Sequence, residues 1–375
     1  METKHSVLQV NKLYYPHIGG IERIVQSISE GIRPSFEVQV LVCQPYGLAR
    51  VDNVAGVSVT RAGSLGIWRS MPVSLSFPLI YRRMAPRFDL IHLHHPFPLG
   101  ELSALKFNSR AKLVLTWYSS IVRQKYLFTL YRPLLEQLLE RLDAIILIYP
   151  EALKHTTVLA QHHHKCWTIP LGIDAQQFQT GEGWSQEVAE LREKYGDRLI
   201  LFVGRLVYYK GLEYLITAMR SVSGRLLVVG DGPLKKALQK QVLEMGLRDR
   251  VVFVGTATQS RLRSLLNACD IFVLPSTHPS EAFGLVQLEA MACRKPVVNT
   301  NLPSGVPFVS LDRVTGLTVE PCNSRALAQA INTLLSDPEL RRSYGENGRQ
   351  RVLREFTAET MVKRTLELYH RLVEA

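Results

Sequence analysis

Residues 271–293 read IFVLPSTHPSEAFGLVQLEAMAC. The first four form a continuous apolar run, the pattern of a strand covered on both faces. A polar loop holding Glu281 follows, and Phe283-Gly284-Leu285-Val286 lead into a helical pattern that carries Glu289. This strand–loop–helix unit recurs in both directions along the chain. In the same half, strands are expected at 199–203, 226–229, 251–254 and 296–299. In the first half they are expected at 7–13, 38–43, 90–93, 113–117 and 144–148. Helical patterns lie between, at 20–30 and at 133–142, the latter with Pro133 placed in a first turn. Such alternation predicts α/β architecture, with parallel sheets and right-handed crossovers. It is interrupted at 169–178, IPLGIDAQQF. Two doubly wound domains are therefore expected, with a functional cleft at strand carboxyl ends and between the domains.

Length agrees, since 375 residues at roughly 150 per domain give two. A 46 % hydrophobic and 21 % charged composition excludes a disordered or fibrous chain. No apolar run approaches the roughly 18–20 residues of a membrane span. The charged start METKHSVLQV runs into a strand pattern, so a cytoplasmic protein without a secretory signal is expected. Five scattered cysteines without Cys-x-x-Cys argue against a disulfide framework or structural zinc. The formal charge of +12 suits nucleic acid, anionic lipid or phosphorylated small molecules. No nucleic-acid recognition motif accompanies it, so no nucleic-acid partner is expected.

The residues that can carry chemistry sit where strands end. Gly19 and Gly20 in YPHIGG follow the first strand and precede a helix, which lets backbone approach an anion. A tight connection alone would use the same glycines. Gly204-Arg205 ends a strand and Lys210-Gly211 follows, two cations at a sheet's carboxyl edge that suit a diphosphate. Gly230-Asp231-Gly232-Pro233 has the same turn grammar. Glu281 and Glu289 stand eight apart. On a continuous helix that separation means about 12 Å of rise and about 80° of rotation. A hydrolase pair flanks one bond at about 5–10 Å, so these carboxylates suit opposite ends of one extended ligand. His92, His94 and His95 read as cleft-lining side chains at a strand end rather than metal ligands. No Asp-x-Asp, P-loop or G-x-S-x-G is present, and no metal site is expected.

In sum YYPHIGGIE, PLGID, VGRLVYYKG, GDGP, VFVG and EAFGLVQLEAMAC, in that order, resemble the retaining GT-B glycosyltransferases of family 4 along nearly the whole chain. The resemblance implies two Rossmann-like domains, parallel sheets facing across a cleft. Residues 1–172 would form the acceptor-side domain, joined by a returning C-terminal helix within 355–375. Residues 173–354 would hold a nucleotide sugar. It further implies Arg205 and Lys210 as the diphosphate pair, Glu281 beside the donor sugar and Glu289 on the ribose. Gly19, Gly20, Gly204, Gly230, Gly232, Pro233, Thr256, Phe283, Gly284, Leu285 and Val286 would complete the donor site, without a cofactor or metal.

LIHLHHPFPLG, SSIVRQK and NLPSGVPFVS resemble bacterial O-antigen enzymes that transfer mannose or a related hexose from a GDP-sugar. A polyprenyl-diphosphate-linked acceptor is implied, with His94, His95, Tyr118, Ser120 and Arg123 as sugar or acceptor contacts. One departure stands out: relatives carry histidine and aspartate where this chain has Tyr118 and Ser120. A UDP-sugar-dependent transferase, a sugar-nucleotide epimerase of the same fold and a binding protein without turnover are the alternatives. Residues 66–84 read either as loop and core helix or as a segment touching anionic membrane at its cytoplasmic face. In the second reading Arg69, Arg82 and Arg83 contribute about 1 kcal/mol each, and Trp68, Met71 and Phe77 insert.

Overall fold

The structure is a computed structural model that describes residues 4–374 apart from 18, 69–70, 108, 120–124 and 179–181, and leaves out the side chains of 125–130 and 182–185. Ser120, Arg123 and Arg69, named above, lie outside the described residues. The chain forms two compact units, one of residues 1–172 with 358–375 and one of residues 173–357.

Unit 1 contains β1 (Ser6–Val10), β2 (Glu37–Cys43), β3 (Arg50–Val54), β4 (Val57–Ala62), β5 (Ile67–Trp68), β6 (Met71–Pro72), β7 (Leu90–His95), β8 (Lys112–Trp117), β9 (Ala144–Leu147) and β10 (Cys166–Thr168). Eight of them make one sheet in the order β10-β9-β8-β7-β1-β2-β4-β3. All its pairs are parallel except β3 with β4. Central strands are largely buried because helices cover both faces. Leu90–His95, for instance, is buried at every position.

Unit 2 contains β11 (Leu199–Val203), β12 (Arg225–Val229), β13 (Val251–Gly255), β14 (Ile271–Leu274), β15 (Val297–Thr300) and β16 (Gly316–Val319). Their order is β13-β12-β11-β14-β15-β16, every pair parallel. Counted from β11, this is the doubly wound order 3-2-1-4-5-6. The order of strand addition reverses between β11 and β14, so the loops leaving those two strands part and open a crevice at their carboxyl ends.

Three expectations need correction. Pro133 lies inside the helix Lys125–Arg141, not in its first turn. The returning helix is Ala358–Val373, because Glu355 is the last residue of the preceding helix Pro338–Glu355. Residues 66–84 form neither a loop nor a broken core helix alone. They make the small hairpin β5–β6, pairing Ile67 with Pro72 and Trp68 with Met71, and then the helix Phe77–Met84. Phe77 is wholly buried, edge-on to Phe97 at 5.1 Å, and Met71 is half-buried, so of the three expected to insert only Trp68 is exposed.

Candidate active site

In unit 2 the loops at the crevice are stitched backbone to backbone. Leu206 N–H donates to Asp231 O at 2.9 Å, and Thr277 N–H to Tyr209 O at 2.8 Å. Gly230 has φ +135°, and a Cβ there would meet Gly204 O at 2.0 Å. Gly211, at φ +62°, would meet Pro275 O at 2.1 Å. Both positions therefore need glycine for conformation and for close approach.

This packing brings two of the expected residues together. Lys210 Nζ lies 2.5 Å from Glu281 Oε2, and both side chains are nearly buried. The same carboxylate oxygen accepts the Ser276 hydroxyl at 3.0 Å. Glu281 stands in the loop after β14 rather than on a helix, so the helical spacing considered for Glu281 and Glu289 does not apply. The Arg205 side chain is exposed and makes no hydrogen bond or ion pair among the described residues. Burial raises the neighbouring Tyr209 phenol above its ordinary pKa; the Lys210 charge opposes that and Glu281 adds to it. An ammonium has three protons and Glu281 engages one direction, so Lys210 keeps donors for a second anion.

The helix Leu285–Ala292 begins from Gly284 in the left-handed conformation, φ +72° and ψ +57°. The amides of half-buried Leu285 and Val286 open it without intrahelical acceptors. Phe283 is buried beneath this turn, and Glu289 is buried further along the helix. Thr256 and Pro233 are exposed beyond β13 and β12, Gly232 between them being half-buried.

A polar network supports the helix from below, and the residue-type reading missed it. Asn299 Nδ2 donates to Gln287 Oε1 at 3.0 Å, and Thr318 Oγ1 donates to Asn299 Oδ1 at 2.7 Å. Gln287 Nε2 donates to Phe283 O at 3.1 Å. A fully buried glutamine and asparagine require such partners. The signal available was an asparagine ending the otherwise apolar run of β15.

In unit 1 the helix Gly20–Gly31 starts after Gly19, which is half-buried, while Gly20 is exposed. A Cβ on Gly19 would overlap the Glu22 carboxylate. The histidines depart from expectation. His92, His94 and His95 do not line a surface; they are buried and engaged. His94 bonds the Tyr118 hydroxyl at 2.9 Å and Gln9 at 2.9 Å. His92 bonds Thr116 at 2.7 Å and the Tyr369 hydroxyl at 2.6 Å. His95 pairs with Glu101 at 3.0 Å and stacks on Trp117. Tyr118 is buried too, its pKa pushed well up by burial and then by Glu22 and Tyr369. The returning helix contributes to this burial, its Tyr369 hydroxyl reaching His92 and Gln9 on two neighbouring strands. Among the described residues no group of three His, Cys, Asp or Glu is placed to hold a metal.

Two family models match the chain: "Glycosyltransferase Family 4" over residues 18–177 and "Glycosyl transferases group 1" over residues 185–351. The chain is 33 % identical over 371 residues to the O-antigen chain mannosyltransferase C of Escherichia coli, covering 98 % of this chain and 99 % of that one. The chain is a family 4 glycosyltransferase. This glycosyltransferase is also 32 % identical to the D-rhamnosyltransferase WbpZ of Pseudomonas aeruginosa, over 94 % of this chain and 92 % of that one. Its fold matches the sucrose-phosphate synthase of Thermosynechococcus elongatus, with TM-score 0.82, 23 % identity and 99 % and 100 % coverage. It also matches Anabaena HepE solved with UDP-glucose, with TM-score 0.80, 22 % identity and 98 % and 99 % coverage. The glycosyltransferase thus has the GT-B fold. Among the described residues no helix is long and apolar enough to cross a membrane.

Proposed function

We propose that this glycosyltransferase moves mannose or a related hexose from a GDP-sugar to a polyprenyl-diphosphate-linked saccharide. The transfer retains anomeric configuration, needs no metal ion and serves O-antigen-type surface polysaccharide at the cytoplasmic face of the membrane. The observation that carries the reading is the Lys210–Glu281 pair at the sheet's switch point, with exposed Arg205 beside it. Nucleotide ligands of doubly wound sheets bind at that position. Lys210 and Arg205 there would meet a diphosphate, with the first amides of Leu285–Ala292 supplying partial positive charge. Glu281 would then stand beside the sugar and Glu289 toward the ribose.

In this reading the bond between the anomeric carbon and the phosphate oxygen breaks, its electron pair leaving with the diphosphate. The acceptor hydroxyl attacks from the same face and passes its proton to the departing phosphate. The two cations stabilise charge that grows on that phosphate, an effect of about 10²–10³ in rate for one preorganised donor. No protein nucleophile is needed. Similarity to a mannosyl- and a D-rhamnosyltransferase supports the sugar class, since D-rhamnose is 6-deoxymannose.

Incubation with GDP-mannose or with UDP-N-acetylglucosamine, each with and without a lipid-linked acceptor, tests the proposal. Acceptor-dependent release of GDP, with an α-linked product from the α-linked donor, supports it. Release of UDP alone replaces the donor, conversion without acceptor points to an epimerase, and binding without turnover removes the enzymatic reading.

A further inference from the structure

Behind the start of the helix Leu285–Ala292, the Phe283, Phe308 and Phe356 rings meet beside a nearly buried guanidinium, that of Arg351. Phe283 and Phe356 lie 6.1 Å apart, Phe308 and Phe356 5.7 Å, and Phe283 and Phe308 6.4 Å. Arg351 belongs to the helix Pro338–Glu355, and its guanidinium carbon stands 5.0 Å from the Phe356 ring and 5.4 Å from that of Phe308. Its Nη2 donates to Phe308 O at 2.8 Å, its Nε to Val309 O at 3.2 Å and its Nη1 to Glu355 Oε2 at 2.7 Å. Phe356 is fixed in turn, since its carbonyl accepts the Ile173 N–H at 2.9 Å.

Two routes lead from this guanidinium to the loop that carries Glu281. One runs through the Phe356 ring to Phe283, the residue before the left-handed Gly284 that opens the helix. The other is backbone. Phe308 and Val309 end the short helix Val306–Val309, where carbonyls lack intrahelical donors, and Arg351 supplies those donors. At the other end of that short helix Gly305 N–H donates to Ala282 O at 2.8 Å, between Glu281 and Phe283. Asn299 Nδ2 bonds Val306 O as well, at 3.1 Å. Both routes converge on residues 282–284. A buried ion pair often gives no more stability than apolar side chains of the same volume. A methionine would fill the space, but it would not set two carbonyls and two ring faces at fixed angles as a planar guanidinium does. What Arg351 contributes is geometry more than energy.

We infer that Arg351 is a positioning residue for the donor site, holding Phe283 and with it the first amides of Leu285–Ala292 in place through Phe356 and the short helix Val306–Val309. It acts through these neighbours and not by contact with the sugar nucleotide. Its effect on transfer rests on the proposed donor reading, whereas its effect on the helix start rests on geometry alone.

Hydrogen exchange of the whole chain without ligand tests the geometry, and transfer kinetics with GDP-mannose test its consequence. Arg351→Lys keeps a cation beside Glu355 but cannot reach both carbonyls and both rings. Phe356→Leu keeps the Arg351 bonds to Phe308 and Val309 and removes the ring that meets Phe283. In both variants the amides of 282–287 should exchange faster than in wild type while Leu199–Val203 stays protected. Their kcat/KM for GDP-mannose should fall by about 10–100-fold, since a displacement approaching about 1 Å costs that much. Glu355→Gln is the control for stability, because it weakens the ion pair and leaves the carbonyl bonds and rings in place. Its melting temperature should drop with both readouts near wild type. Unchanged exchange at 282–287 in both variants overturns the inference. So does an equal loss of transfer in Glu355→Gln, which would make the effect one of general stability. Wild type that binds neither GDP nor UDP would count against the donor reading alone, and exchange in the ligand-free chain still decides the positioning.

Discussion

Lys210 Nζ and Glu281 Oε2 are 2.5 Å apart although their residues leave different strands, β11 and β14, on either side of the switch point. The pair is nearly desolvated, so each member depends on the other. Lys210→Ala leaves Glu281 with only the Ser276 hydroxyl, and Arg205→Ala removes an exposed cation whose loss the fold does not feel. Both substitutions are expected to lower transfer about 100-fold or more. Only Lys210→Ala should also reduce stability, by up to about 3–5 kcal/mol. Steady-state transfer and urea denaturation separate the two effects. Normal turnover in both variants would remove the diphosphate role.

Chelation gives an independent expectation. Transfer should survive EDTA unchanged, because in the proposed reading Arg205, Lys210 and helix amides would meet the charge on the leaving diphosphate. Activity that disappears with EDTA and returns with Mg²⁺ or Mn²⁺ would contradict this.

The family resemblance implies a sugar contact for Tyr118, yet its hydroxyl is spent on His94 at 2.9 Å inside the unit. Tyr118→Phe should therefore cost about 1–3 kcal/mol, the penalty for a buried polar group left without its partner. The KM for donor should stay near wild type. A raised KM with unchanged melting temperature would instead put the hydroxyl on the substrate.

Burial pushes His92 down to about 3 from an ordinary 6.5, and His94 well down as well. The unfolded chain then binds more protons than the folded one below about pH 6.5. Stability is fully present above that value and falls as pH drops toward 3, by about 1.4 kcal/mol per pH unit for His92 alone. Urea titrations of the whole chain at about pH 7 and about pH 5 should show the loss, and His92→Gln should flatten it. Equal stability at both values would mean that neither imidazole is held neutral.

Much of this was legible beforehand, and the misses share a cause. Buried parallel strands such as Leu199–Val203 announce themselves as unbroken apolar runs, and Lys210 and Glu281 stand just past two of them. Arg50–Val54 was missed because β3, at the sheet edge, pairs antiparallel and exposes most of its residues. The exposure of His94 and His95 was misjudged because strand position does not say what will cover a strand end. Gln9 and Tyr369 meet there across 360 positions. Phe77 and Trp68 were indistinguishable by periodicity across Pro72, and only the hairpin register separates core from surface.

The returning helix Ala358–Val373 also sets an order of events during synthesis. Unit 2 is a single uninterrupted stretch, whereas unit 1 needs Tyr369 against His92 and Gln9 before its central strands are sealed. The segment made first is thus the one completed last. Until Tyr369 has been made, Gln9 and His92 lack that partner, so unit 1 cannot seal its central strands before nearly the whole chain exists.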